Sequence, residues 1–128
     1  MTQEEAVSHW QKRAAAELKA AHALFEQKDP ELYGEVLFHC HLALELALKA
    51  QYIKEHEKAA PFTHSLGKLA EALDETWSEN DRIDFDVLTD HAILARYGGE
   101  QWHSQHATKE NAEKWLGKVE KFLTKFQS

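Results

Sequence analysis

Three short stretches of this sequence place cationic or imidazole side chains where they can hold a phosphate or move a proton. HLALELALKAQYI sets Glu45 and Lys49 four residues apart inside an otherwise apolar run. PFTHSLGKL puts His64 directly after Thr63, and HAILARYGGEQWH passes through Arg96-Tyr97 and reaches His103 seven positions after the arginine. A guanidinium offers forked donors that match phosphate oxygens, and an ammonium offers a point charge. An imidazole passes a proton near neutral pH. With Thr63 as N-cap, His64 falls in the first turn of a helix, where backbone N–H groups and the helix dipole favour anions.

Each stretch also has a plainer reading. Glu45 and Lys49 stand in the favourable i,i+4 order, which contributes a few tenths of a kcal/mol on an exposed helix. The competing reading is that the pair lines a groove, because charges embedded in an apolar run need partners, and that Lys49 meets a phosphate there. His64 can simply fix the turn that follows the second helix. His39 and His41, two apart on a helix, point nearly opposite ways and cannot share a metal. His103 and His106 lack a carboxylate in register, and Glu100-Gln101-Trp102-His103 shows the Glu-x-x-His spacing once, in a stretch read as loop. Neither a metal nor another cofactor is therefore expected. The single cysteine, Cys40, excludes an internal disulfide and reads as a core residue. Lys114, Lys118, Lys121 and Lys125 fall within about 60° on a helical wheel, either a solvated face or a phosphate track.

The elements that must position these residues are helical. Ala, Leu, Glu, Lys and Gln dominate, Pro30 and Pro61 are the only prolines, and four of five glycines lie at or after residue 67. No period-2 alternation is long enough for a strand. A first helix from Thr2 to Gln27 opens on a capping-box pattern, Thr2 and Glu5, with Ala6, Trp10, Ala14, Leu18, Ala21 and Phe25 as one stripe. The second starts near Glu31. It is apolar on two sides, Leu37, Cys40, Leu44 and Leu48 on one and Leu42, Leu46 and Ile53 on another, so it is buried between neighbours or shared with a second subunit. Thr63 caps a third helix and Ser78, with Asp81, a fourth, which Tyr97-Gly98-Gly99 stops. The last runs from Thr108 to Phe126. These predict an all-α, up-and-down bundle of four to five helices in one domain over residues 1–128.

The formal charge of −7 argues against broad, nonspecific nucleic-acid binding, which depends on neutralising phosphates. No apolar run approaches the roughly 18 residues needed to span a bilayer. The N-terminus lacks a signal-peptide core, so the expected location is cytoplasmic.

Length, helix order and the three stretches together resemble the HEPN superfamily, small helical domains named for higher eukaryotes and prokaryotes nucleotide-binding, in its small stand-alone form. The resemblance covers nearly the whole chain. It implies a nucleotide-binding module, partner of a small nucleotidyltransferase in a toxin–antitoxin-like pair, with Lys49, His64, Arg96 and Tyr97 as nucleotide or phosphate contacts and a homodimer as the working form. HEPN ribonucleases carry an arginine, four to six intervening residues and a histidine, and Arg96-YGGEQW-His103 fits the longest spacing. The alternative activity is thus a metal-independent endoribonuclease: His103 would move a proton at the ribose 2′-hydroxyl or the leaving oxygen, and Arg96 would hold the phosphate. The Arg-Tyr pair is also similar to a branch ending in Arg-Tyr-Pro, with Gly98 in place of the proline. A non-catalytic helical adaptor, with Glu45, Lys49 and Arg96 in internal salt bridges, is the third alternative.

Overall fold

The computed structural model describes residues 2–126. Six α-helices follow one another among them: α1 Gln3–Glu26, α2 Tyr33–His56, α3 Leu66–Glu71, α4 Glu79–Tyr97, α5 Glu100–His106 and α6 Lys109–Thr124. That is one more than the sequence suggests, and none of the described residues forms a strand.

Local chemistry accounts for the boundaries. Thr2 Oγ1 accepts from the Glu5 N–H, opening α1. A 3-10 turn at Pro30–Leu32, capped by Asp29, leads into α2, and Glu57 in the left-handed conformation closes it. At α4 the Ser78 hydroxyl accepts from the Asp81 N–H while the Asp81 carboxylate accepts from the Ser78 N–H, a full capping box. The cap of α3 is Ser65, not Thr63. Ser65 Oγ accepts from the Lys68 N–H, while Thr63 Oγ1 accepts from the Ser65 N–H in the preceding turn. His64 therefore lies outside the helix, not in its first turn.

The end of α4 has a steric cause. Gly98 N–H donates to Leu94 O, and a Cβ at Gly98 would stand 2.5 Å from that same oxygen. Only a glycine lets the chain leave α4 this tightly. Gly99 then starts α5, so the stretch read as loop is a short helix.

The core is organised around α2, with α1 lying along its length and α3, α4 and α6 covering the rest. Fifteen of its 24 residues are buried, on every side of the helix. Val36, Leu37, Cys40, Leu44 and Leu48 meet Leu66, Leu69, Phe85, Leu88, Trp115 and Val119 in one apolar cluster. Burial of this kind contributes about 1.5–3 kcal/mol for each large aliphatic side chain. Of the two readings of the second helix, burial between neighbours is the one this fold realises, since α1, α3, α4 and α6 of the same chain cover it. Exposed large apolar side chains lie elsewhere: Ile83, Ile93, Leu94 and Tyr97 on α4, and Phe62 before α3.

Candidate functional site

The charges embedded in α2 are satisfied from within the chain. Glu45 is 3% exposed. Lys49 Nζ donates to its Oε2 at 2.8 Å, and His64 Nδ1 donates to Oε1 and Oε2 at 3.1 and 3.2 Å. A buried carboxylate is tolerable only when opposing donors surround it in this way. His41, one turn back on α2, donates from Nε2 to His64 O at 2.8 Å and thereby pins the loop that carries His64. Burial holds the His41 pKa below its ordinary value, against a smaller upward pull from that bond and from Glu45. The His64 ring itself is 80% exposed. With Nδ1–H committed to Glu45, its Nε2 faces outward.

Arg96, on the last turn of α4, lies across the start of α2. Its Nη2 is 3.3 Å from Glu35 Oε2, and its guanidinium carbon sits 3.8 Å from the centre of the Phe38 ring. Stacking on Phe38 fixes the plane of the guanidinium and leaves other N–H donors open, since the side chain is 42% exposed. Tyr97, 86% exposed, follows it.

Between α2, α4 and the loop before α3 these residues enclose a cavity of about 470 Å³ lined by Phe38, His41, Leu42, Glu45, His64, Thr89, Ala92, Ile93, Arg96 and Tyr97. Four of the residues singled out by sequence, Glu45, His64, Arg96 and Tyr97, share it. Lys49 does not. Its ammonium held by Glu45, it instead lines a separate cavity of about 450 Å³ beside Trp10, Ile53 and Phe62. A few well-placed polar groups on apolar walls are the usual construction of a ligand site.

His103 takes a different position. The short α5 folds back, and the ring lies against Gly34 at the start of α2. Its Nδ1 is 3.1 Å from Gly99 O and its Nε2 3.2 Å from Ala95 O. Both partners only accept, so a neutral ring donates to one of them and the imidazolium to both. Arg96 and His103 thus flank the Ala95–Arg96 peptide, but His103 does not line the cavity that Arg96 lines.

Sequence reasoning passed over Glu35 and Phe38, and weighed His41 only as a metal ligand. A clue existed in that all three share α2 with Glu45 and precede it by ten, seven and four residues, hence near one face. Spacing alone did not show that α4 would present Arg96 to it.

The lysine stripe of α6 is largely engaged. Lys118 Nζ donates to Asp84 at 2.8 Å, and Lys125 approaches Glu75 at 3.9 Å. Lys114 and Lys118 lie over Trp115, and Lys125 over Trp77. Cys40, buried, has its thiol pKa pushed up to about 12 by burial, which fits a core residue. Among the described residues, no three His, Cys, Asp or Glu side chains group as a metal would need, and no helix is long and apolar enough to cross a membrane.

Comparison with curated proteins and with solved structures gave no match. Comparison with protein families matched residues 7–128 to the HEPN domain, nearly the full length and including every helix that builds the cleft. The chain therefore belongs to the HEPN domain family, a nucleotide- or RNA-related class of helical module.

Proposed function

We propose that the chain is a HEPN nucleotide-binding module whose ligand seats in the α2–α4 cleft with a phosphate on Arg96. The observation that carries this reading is the joint lining of one apolar-walled cavity by Arg96, Tyr97 and His64. The guanidinium, pre-oriented on Phe38, supplies charge, and the exposed Tyr97 ring supplies a stacking surface. Lys49, engaged by Glu45 on the far side, is not among the contacts of this site. Calorimetric titration with AMP tests the reading. Arg96→Ala loses at least tenfold in affinity, about 1.4 kcal/mol, whereas Lys118→Ala, away from the cleft, stays within twofold. Equal affinity for wild type and Arg96→Ala would sink it.

The family supports a partnership with a small nucleotidyltransferase in a toxin–antitoxin-like pair, and a homodimer is the second association proposed. The exposed Ile93, Leu94 and Tyr97 of α4 offer apolar surface for either. Light scattering at micromolar concentration distinguishes dimer from monomer, and Ile93→Glu is expected to dissociate a dimer formed there.

The ribonuclease reading, with Arg96 and His103, draws support from the return of α5 after Gly98-Gly99, which brings His103 to Ala95 O beside the arginine. An RNA-cleavage assay in EDTA comparing wild type, Arg96→Ala and His103→Ala tests it. No cleavage by wild type, or unaltered cleavage in both variants, ends it.

A further inference from the structure

The cleft has two polar ends, and the helices set the distance between them. At one end Arg96 stacks on Phe38 and turns toward Glu35, away from His64. At the other, His64 is tied to Glu45 and His41 of α2, while two residues on the Leu66 N–H donates to Thr89 Oγ1 of α4 at 3.2 Å. Thr89 and Arg96 are seven residues apart on α4, as are Phe38 and Glu45 on α2. At 1.5 Å of rise per residue, both helices put the ends about 10 Å apart. Leu42, Ala92 and Ile93 line the cleft along with them.

A single phosphate cannot bridge such a span, but a nucleotide laid lengthwise can, with phosphate at one end and base edge at the other. The charges set the direction. Among the residues lining the cleft, Arg96 is the one permanently cationic side chain, so the phosphate belongs there. The His64 end offers an outward Nε2 held in orientation by a buried carboxylate, a hydrogen-bonding group suited to a base edge. Beyond Arg96 stands the Glu35 carboxylate, 3.3 Å from the guanidinium. A second and third phosphate extending that way would meet a negative charge with no further cation lining the cleft.

Resting on the nucleotide reading above, we propose that the cleft is a site for one nucleoside monophosphate unit, either a free mononucleotide or the phosphorylated end of an RNA strand. Its phosphate sits on Arg96 and its base edge on His64, with Glu45 as the residue that positions His64. Nucleoside triphosphates are excluded by Glu35.

Calorimetry with AMP, ribose 5-phosphate, ATP and a 5′-phosphorylated RNA trinucleotide, on the full chain, tests each part. AMP is expected to bind at least tenfold more tightly than ribose 5-phosphate and than ATP. His64→Ala removes the preference for AMP over ribose 5-phosphate, losing about tenfold on AMP and less than twofold on the sugar phosphate. The variant keeps its fold because the main-chain carbonyl that His41 holds remains; His64→Asn, which keeps a donor and an acceptor, recovers part of the preference. Glu35→Gln narrows the gap between AMP and ATP. A trinucleotide equal to AMP identifies the free nucleotide as ligand, and one at least tenfold tighter identifies the RNA end; both support the site. Tighter binding of ATP than AMP, or equal losses on AMP and ribose 5-phosphate in His64→Ala, overturns the inference while leaving an Arg96-dependent nucleotide site standing. No binding of any probe by wild type overturns both.

Discussion

The α2–α4 cleft and the junction of α4, α5 and α6 both gather histidines against apolar and aromatic side chains, yet they leave those histidines in opposite states. In the cleft, Glu45 takes one nitrogen of His64 and the other faces outward. At the junction His91 Nε2, the His106 carbonyl and the His103 ring are tied into the structure. Asn111 Nδ2 donates both to His91 Nε2 at 3.1 Å and to His106 O at 2.8 Å, and the ring of Trp102 packs against His91, His103 and His106. The His103 ring lies between the main-chain carbonyls of Gly99 and Ala95, to one of which a neutral ring donates. Residue type does not separate the two regions. The separation lies in what a positioned ring nitrogen faces, and in the cleft the outward Nε2 of His64 stands beside an apolar-walled cavity.

The largest effect that bears on this contrast is expected at Glu45. Glu45→Ala leaves Lys49 and His64 without their acceptor, and removing one partner of a buried ion pair costs 3–5 kcal/mol. Lys49 and His64 can turn toward water, so about 3 kcal/mol is expected in urea unfolding. A loss under about 1 kcal/mol would mean the cluster is not the anchor of the cleft. At the junction, Asn111→Ala orphans the His91 nitrogen and the His106 carbonyl, at a cost of about 1–2 kcal/mol. It should leave AMP affinity within twofold. A tenfold loss of AMP binding there would dissolve the distinction between the two regions.

Acidification probes both regions together. His41 and His91 have folded-state pKa values below the ordinary 6.5, in each case chiefly through burial; His64 and Lys49 add to the lowering at His41, and His106 and Lys114 at His91, while Glu45 and Asp90 oppose it. Below 6.5 the unfolded chain therefore binds more protons than the folded one. Their contribution to stability is present above that pH and is lost as pH falls toward the folded values. Tm should drop on acidification from neutrality, and His91→Gln should make the drop shallower. A Tm that holds steady through this range would contradict neutral rings at the buried His41 and the half-buried His91.

Much of the fold was legible because long helices announce themselves. The stripe of α1, the all-round apolarity of α2 and the Ser78–Asp81 cap of α4 are statements about repeated or paired residues, and the structure honours each. What escaped was short or relational. The seven residues of α5 are too few for periodicity to register behind two glycines. Thr63 and Ser65 carry equally good capping hydroxyls, and both are used, so sequence could not choose between them. In the site, the Arg96–His103 spacing was readable, but the orientation of the His103 ring depends on where α5 folds. Lys49 and His64 were both visible as candidates, and only the buried position of Glu45 shows that they lie on opposite sides of it.

The smallest effect is expected where the sequence signal looked broadest. The α6 lysines form a regular stripe, but Lys118 pairs with Asp84 across to α4 and lies 5.6 Å from the Trp115 ring. A partly exposed pair of this kind contributes under about 1 kcal/mol, with part of the Lys118 contribution coming from its aliphatic stem over the indole. Lys118→Met, which keeps the stem and removes the charge, should therefore change stability by only a few tenths of a kcal/mol. It should also leave binding of the phosphorylated trinucleotide unaltered. If α6 instead formed a phosphate track, the same variant would weaken RNA binding and lower its salt dependence. The charges of this stripe then would be as available as those of the cleft, and the Asp84 and Glu75 contacts would have to open when RNA binds.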